Sequence, residues 1–329
     1  ANISDNKEFA KAVYDNGGLP FFALGSLPVE IADQILPEKS DELPAFGAGM
    51  IGIKAFNPTL DHHLELIKKK QTPFALFAGG IPSQINELEA CGTRAYLHTP
   101  MPGVLKNAFE KGTRRFILEG NEAGGHVGSL SSMVLWELSI EALLDLPSAQ
   151  RPDVSVLFAG GIISAVGSHF ISAMTALLAK EGVKIGIQLG TAYLFTKEIV
   201  ETGALTSVYQ QVVQEHKRTT IIGSTVGLAC RTADTTFAGQ IMKNEHCRLA
   251  DDTMTLASRK RAFEKDNLGS LLISAKGKTP DFGHNNNGQW ITFTAEEQRS
   301  NGNFMTGEGL VFFENQTTIA QIHEELFLK

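Results

Sequence analysis

Cysteine is scarce: only Cys91, Cys230 and Cys247 occur, 139 and 17 positions apart. An odd, sparse set with no CxxC pair and no Cys/His cluster excludes a disulfide framework and a zinc module. It predicts free thiols in a reducing, cytoplasmic setting. Long apolar runs are missing too. The longest, Val154 to Gly167, covers 14 residues and is broken by glycine and serine, so it cannot cross a bilayer as a helix and no membrane association is expected. No basic-then-apolar leader opens the chain. Positive charge is in deficit, with 29 Lys and Arg against 36 Asp and Glu and a net charge of −7. A nucleic-acid binder that grips phosphates regardless of sequence needs the opposite balance. No GxSxG elbow is present, His62-His63 is a doublet on a helical stretch, and His323-Glu324-Glu325 lacks the second histidine of HExxH. Serine hydrolase and zinc hydrolase chemistry are therefore unsupported.

Glycine is what the chain has in excess: 32 residues of 329, many paired at the ends of apolar runs. Such pairs let backbone approach a ligand closely, as phosphate sites require, or simply end strands in tight turns. One pair alone does not choose. Apolar runs at Leu19–Leu24, Gly49–Ile53, Phe74–Phe77, Ala95–Leu97, Arg115–Leu118, Val154–Phe158 and Ile185–Leu189 alternate with amphipathic stretches. Among these are Ile85–Ala90, Val104–Glu110, Met133–Leu144 and Ser164–Lys180. Continuous apolar strands alternating with helices predict a parallel sheet covered on both faces. Before the first run, Ser4 to Asn16 reads as a helix, with Asp5 and Glu8 at capping-box spacing and Asn16-Gly17-Gly18 as its stop. Seven strands preceded by a helix fit an eight-stranded TIM (β/α)8 barrel whose first strand is missing from this chain.

An internal echo supports the barrel. Leu76-Phe77-Ala78-Gly79-Gly80-Ile81 recurs 81 residues later as Leu157-Phe158-Ala159-Gly160-Gly161-Ile162, by duplication of βα units or by coincidence. A literal GxGxxG at Gly47, Gly49 and Gly52 does not make a dinucleotide fingerprint. Pro44 precedes it, Pro58 follows, and the position 20 beyond Gly52 is Thr72 rather than an acid. Beyond the strands, residues 1–223 form the expected barrel core, 224–315 a helical lid and loop-rich tail, and 316–329 a closing helix. Residues 224–268 are polar and helical in character, with Arg259-Lys260-Arg261 as a solvated face. Residues 277–303 read as loop, with Gly283–Gly288 as a surface excursion.

The segment Glu119-Gly120-Asn121-Glu122-Ala123-Gly124-Gly125-His126-Val127-Gly128 follows a strand, which in a barrel places it at the catalytic, C-terminal face. Its small residues bring backbone close to a flat or anionic ligand. His126 carries a group suited to moving protons near neutrality, unless it merely caps the loop. Gly160-Gly161 and Gly190-Thr191 follow the last two strands, where barrel loops often hold phosphate. Their amides and the Thr191 hydroxyl could do so without any lysine, and Gln188 could reach a ligand ring.

Glu119-Gly120-x-Glu122-Ala123-Gly124-Gly125-His126-x-Gly128, then Ala159-Gly160-Gly161-Ile162, then Gln188-x-Gly190-Thr191-Ala192-Tyr193-Leu194 together resemble the nitronate monooxygenase family over about residues 3–235. The same pattern includes FMN-dependent enoyl-acyl-carrier-protein reductases. Leu135-Trp136-Glu137, Leu271–Gly277 and Asn303–Gly309 look like the subfamily embedded in polyketide or polyunsaturated fatty-acid synthases, although Glu308 stands where glutamine is expected. The resemblance implies an FMN-binding TIM barrel. In it, Gly160, Gly161, Gly190 and Thr191 hold the phosphate, and Glu119, Ala123, Gly124 and Gly125 line the flavin and its ribityl chain. His126 matches the family's catalytic base, and His98 falls where relatives place a lysine or another polar flavin contact. Three functions follow as expectations. One is oxidation of nitronates or alkyl nitro compounds with O2. The second is NAD(P)H-dependent reduction of an enoyl thioester on an acyl carrier protein beside neighbouring synthase domains. The third is a non-catalytic module of a megasynthase.

Overall fold

In a computed structural model, residues 5–25, 27–281 and 289–327 are described. Seven parallel strands form the main sheet: β1 (Phe21–Gly25), β2 (Gly47–Ile51), β3 (Phe74–Ala78), β4 (Arg94–His98), β5 (Arg115–Glu119), β7 (Ser155–Ala159) and β8 (Lys184–Gln188). Their spatial order follows the chain, β1-β2-β3-β4-β5-β7-β8. A short strand, β6 (Gly125–His126), lies outside this sheet. It joins β9 (Thr219–Ile222) and β10 (Cys230–Ala233) in an antiparallel trio with β10 at the centre. A hairpin, β11 (Lys278–Pro280) with β12 (Trp290–Thr292), completes the strands among the described residues.

All seven expected runs are strands of the parallel sheet, with ends displaced by at most two residues. Helices Val29–Ile35, Leu60–Lys69, Pro82–Ala90, Pro102–Glu110 and Ser132–Leu144 connect them. The stretch expected as one helix over Ser164–Lys180 runs as two, Ala165–Met174 and Ala176–Lys180. Parallel βα units bury both strand faces, and the burial shows it: three consecutive residues are buried in β4 and in β5. Phe22, Phe77, Phe116 and Phe158 are fully buried against the outer helices. Tyr96, Ile117 and Ala159 fill the other side of the sheet with Phe74, Leu76 and Leu157. Burying each such large side chain contributes about 1.5–3 kcal/mol. This is the layered packing of a (β/α) barrel.

Two local expectations are corrected. The first helix spans Lys7–Asp15 and is capped by Asn6, whose side chain accepts from the Phe9 amide. Asp5 is not the cap because its carboxylate is engaged by Lys276 at 2.7 Å. The region 277–303 is not uniformly loop. It contains the β11–β12 hairpin and helix Ala295–Asn301, which has a reciprocal Thr294–Glu297 capping box. The Gly283–Gly288 excursion lies outside the described residues. The literal GxGxxG lies, as expected, outside any phosphate turn: Gly47 and Gly49 sit inside β2, and a Cβ at Gly47 would meet the Phe21 ring at 2.2 Å. These glycines serve strand packing.

Candidate active site

The Glu119–Gly128 loop is tied down along its length. The Asn121 amide donates to Leu130 O, and Asn121 Nδ2 donates to Gly128 O. The Glu122 carboxylate accepts from the Ser132 amide and hydroxyl at the start of the following helix, where the helix dipole favours an anion. Gly120 is needed here, since a Cβ at that position would fall 2.1 Å from Ser132 Oγ. These restraints deliver Glu119, Ala123, Gly124 and Gly125 to one wall of a cavity of about 570 Å3, within the usual range for cofactor sites.

Nine of the eleven expected site residues line this cavity: Glu119, Ala123, Gly124, Gly125, Gly160, Gly161, Gln188, Gly190 and Thr191. They come from the C-terminal ends of β5, β7 and β8. Gly160 and Gly161 have φ of +98° and +77°, conformations that side chains other than glycine rarely adopt. Among the described residues the amides of Gly160, Gly161 and Gly190 donate to no fold carbonyl. Thr191 Oγ1 accepts from the Gly307 amide at 2.8 Å, which leaves its hydroxyl proton for another acceptor. Gln188 Oε1 is shut off from solvent and has no hydrogen-bond partner.

His98 and His126, the remaining two, are placed differently. His98 ends β4 beside Glu119 at the end of β5, with Nδ1 3.3 Å from Glu119 Oε2. Burial pushes the Glu119 carboxyl up to about 7 and the His98 imidazole down to about 4. Both shifts disfavour the charged forms, so burial opposes a full ion pair here and keeps the imidazole neutral at pH 7. His98 Nε2 is buried and has no hydrogen-bond partner, but it lies outside the cavity lining. Within the lining Gln188 Oε1 is an unmatched acceptor, at a cost of roughly 1–3 kcal/mol unless a ligand answers it.

His126 does not line the cavity. It is the second residue of β6, next to cavity-lining Gly125, with its side chain exposed. Its backbone pairs with Cys230 of β10, a buried thiol pushed up to about 12 by desolvation. Surrounding protein holds the His126 imidazole below its ordinary value, so it is neutral and able to accept a proton near pH 7. Arg231, next on β10 and 5% exposed, fixes the loop that carries this histidine. Its Nε donates to Asn121 O at 2.8 Å, Nη2 to Asn121 Oδ1 at 2.5 Å and Nη1 to Thr219 Oγ1 at 2.7 Å. Nη1 also pairs with Glu308 at 2.8 Å.

Further cavity residues lie outside the set of site residues expected from the sequence. Met305 and Thr306 reach it from the tail, Phe9 from the first helix, Tyr193 from the turn after β8 and His323 from the last helix. Tyr193 Oη and His323 Nε2 lie 2.8 Å apart. The one sequence signal for the tail is Asn303–Gly309, whose backbone docks on the loop by the Glu308 amide donating to Glu122 O.

No helix among the described residues is long and apolar enough to cross a membrane. The model of the family described as nitronate monooxygenase matches residues 32–328. A probable nitronate monooxygenase of Staphylococcus aureus is 30% identical over 145 residues, covering 41% of this chain and 37% of that protein, so the match spans little more than a third of the curated relative. Three solved structures share the fold. FabK from Thermotoga maritima has 21% identity over 99% of this chain and 88% of its own, with a TM-score of 0.76. Nitroalkane oxidase from Streptomyces ansochromogenes has 18% identity over 99% and 92%, with a TM-score of 0.68. The enoyl reductase domain of MlnA, from the macrolactin cluster of Bacillus amyloliquefaciens, has 12% identity over 98% and 90%, with a TM-score of 0.63. With a family match over nearly the whole chain on this barrel and cavity, the chain belongs to the nitronate monooxygenase family of flavin-dependent oxidoreductases.

Proposed function

We propose that the cavity holds FMN and that the protein oxidises nitronates or alkyl nitro compounds with O2, using His126 as the general base. The observation that carries the cofactor assignment is Gln188 Oε1, a cavity-lining acceptor with no partner, together with the open amides of Gly160, Gly161 and Gly190. The edge of a flavin ring carries a donor that would answer Gln188. Gly160, Gly161, Gly190 and Thr191 would hold the phosphate through open amides and the Thr191 hydroxyl. Glu119, Ala123, Gly124 and Gly125 would lie along the ring and ribityl chain. Bound there, FMN supplies the redox chemistry, while the protein orients it and manages protons.

His126 is neutral at pH 7 and sits one residue from the cavity wall, so it can take the α-proton of a nitroalkane entering beside Gly125. His126→Ala is expected to keep its flavin and to lose about 10²–10⁴-fold in turnover of the neutral nitroalkane. Preformed nitronate, which has already lost that proton, should be affected far less. Equal losses on both substrates would refute the base assignment.

A second reading keeps FMN and changes the substrate: NAD(P)H as electron donor and an enoyl thioester on an acyl carrier protein as acceptor, in the company of synthase domains. Met305 and Thr306 favour it, because the segment that resembles the synthase-embedded subfamily forms part of the cavity wall. Visible spectra of the purified protein decide between the two. Bleaching of oxidised flavin by anaerobic NADPH selects the reductase, and bleaching by nitronate alone selects the monooxygenase. Absence of flavin from the purified protein would leave only a non-catalytic module.

A further inference from the structure

Helix Leu256–Asp266 carries Arg259, Lys260 and Arg261, expected from sequence to be a solvated face. Arg261 is exposed, but Arg259 and Lys260 are half-buried. Arg259 Nε is closed to solvent without a hydrogen-bond partner. Lys260 Nζ lies 4.7 Å from the centroid of the Phe56 ring, in the loop after β2. Among the described residues neither makes an ion pair with a carboxylate, although Lys54 nearby is matched by Asp61 and Arg248 by Asp266 of the same helix. These are cations left without anions at the top of the barrel.

The helix also reaches the His126 sheet. A Cβ at Gly223, the residue after β9, would touch Phe263, one turn beyond Arg259 and Lys260. β9 pairs with β10 and β10 with β6, two strand spacings or about 10 Å across. Lys260 thus stands over the β2 loop, and Phe263 of the same helix reaches the His126 sheet, at the end of the barrel where the cavity lies. The loops after β2, β3 and β4 at this end expose an apolar shelf of Ile53, Phe56, Ile81 and Met101, each 42–57% exposed. Ile53 rests on the Gly79 turn, where a Cβ would come within 2.9 Å of its Cδ1. Adjacent loops with four exposed large apolar residues, edged by two unmatched cations, suit a ligand with an extended, weakly polar chain and a phosphate at one end.

We propose that Arg259 and Lys260 bind the phosphate of an acyl-phosphopantetheine arm whose chain crosses the Ile53–Phe56 shelf toward the cavity. A guanidinium and an ammonium on consecutive residues supply the charge and donors a phosphate needs. The shelf matches a chain too long and apolar to lie in water. This deepens the enoyl-thioester reading and rests on it, but binding can be measured without turnover.

The test is calorimetric binding of 4′-phosphopantetheine and of phosphate-free pantetheine to the purified protein, wild type and Arg259→Glu/Lys260→Glu, with NADPH and NADH as a second pair of probes. The wild type should prefer phosphopantetheine at least tenfold, the worth of one hydrogen bond to a charged group. The preference should shrink with added salt and vanish in the double variant. Lys265→Glu, an exposed residue of the same helix, should keep it. Flavin absorbance of the variants should match wild type, which separates failure at this subsite from failure of the FMN assignment. No phosphate preference in the wild type, or the same preference in the double variant, overturns the proposal. A preference for NADPH over NADH that is lost in the double variant, with none between the pantetheines, transfers the site to the electron donor and overturns it as well.

Discussion

Replacing Arg231 by methionine keeps most of the apolar stem and removes every polar contact of the guanidinium. Two acceptors on Asn121, its backbone O and Oδ1, lose their donors, and Thr219 Oγ1 loses a third contact. Arg231 is 5% exposed, so water replaces these bonds poorly. Each stranded acceptor costs about 1–3 kcal/mol. Relief of the buried charge offsets part of this, giving a net loss of about 3–4 kcal/mol of unfolding free energy. Glu308 behaves differently. Its side chain is 54% exposed, so Glu308→Gln keeps an acceptor for Arg231 and gives up only a solvated charge, worth under about 1 kcal/mol. Urea melts of both variants, followed by far-UV dichroism and by flavin release, measure the difference. Because Asn121 also closes the loop onto Gly128, Arg231→Met should lower the urea midpoint for flavin release before the global transition, and Glu308→Gln should not. Equal costs for the two variants, or a cost below about 1 kcal/mol for Arg231→Met, would refute the idea that the buried guanidinium rather than the ion pair holds the His126 loop.

Glu119→Gln tests the neutral His98–Glu119 contact. The folded pKa of Glu119 is raised to about 7, so its contribution to stability is full below its unfolded value near 4.5 and is lost as pH rises through 7. The wild type should therefore lose on the order of 3 kcal/mol more than Glu119→Gln between pH 4.5 and pH 8 in chemical denaturation, and parallel pH profiles would show that Glu119 is ionised in the fold. His98 acts in the opposite sense: its folded pKa is lowered to about 4, so its contribution is full above 6.5 and is lost as pH falls through 4. Gly124→Ala should abolish flavin retention, because a Cβ there would fall 2.6 Å from the Gly307 amide nitrogen and push the tail off the loop. Undiminished flavin absorbance in that variant would show that the tail is not part of the site. Thr191→Val strands the Gly307 amide and removes the hydroxyl proposed to donate to the phosphate. A rise of about tenfold in the flavin dissociation constant is expected, measured by fluorescence recovery on release.

The strands of the barrel are legible because burial on both faces demands continuous apolar runs, and runs such as Phe74–Phe77 have few other uses. The cavity lining is legible for a related reason. Gly-Gly pairs and the Glu119–Gly128 loop sit just past strand ends, and a parallel barrel sends all those ends to one face. The approach of His98 to Glu119 follows as well, since β4 and β5 are neighbours and the two residues end them. What stays hidden is long-range and polar. Nothing in Cys230-Arg231-Thr232 separates a buried, four-fold bonded arginine from a surface one. Arg259 and Lys260 look solvated because a helix face is judged solvated until the loop it packs on is known. Asn6 and Asp5 are both good caps, and only the position of Lys276, 271 residues away, decides which is used.

The echoed hexapeptide shows how little separates cavity wall from an ordinary surface turn. Both copies end a strand, and both glycine pairs have positive φ: +72° and +111° at Gly79 and Gly80, +98° and +77° at Gly160 and Gly161. Serine follows at the same offset in each, Ser83 and Ser164. The copies differ before that serine, at Pro82 and Ile163, and again after it, with Gln84 in the first and Ala165 in the second. Gln84 Oε1 accepts the Ile81 amide and its Nε2 donates to Gly52 O, while a Cβ on Gly80 would strike Oε1 at 2.6 Å. That glutamine takes up the Ile81 amide and occupies the space beside Gly80. Alanine can do neither, so among the described residues the Ile162 amide donates to no fold carbonyl and the second turn becomes cavity wall. The glycines make the approach of a phosphate sterically possible in both copies. A side chain beyond the motif decides whether the third amide of the turn is already taken and the space beside it filled.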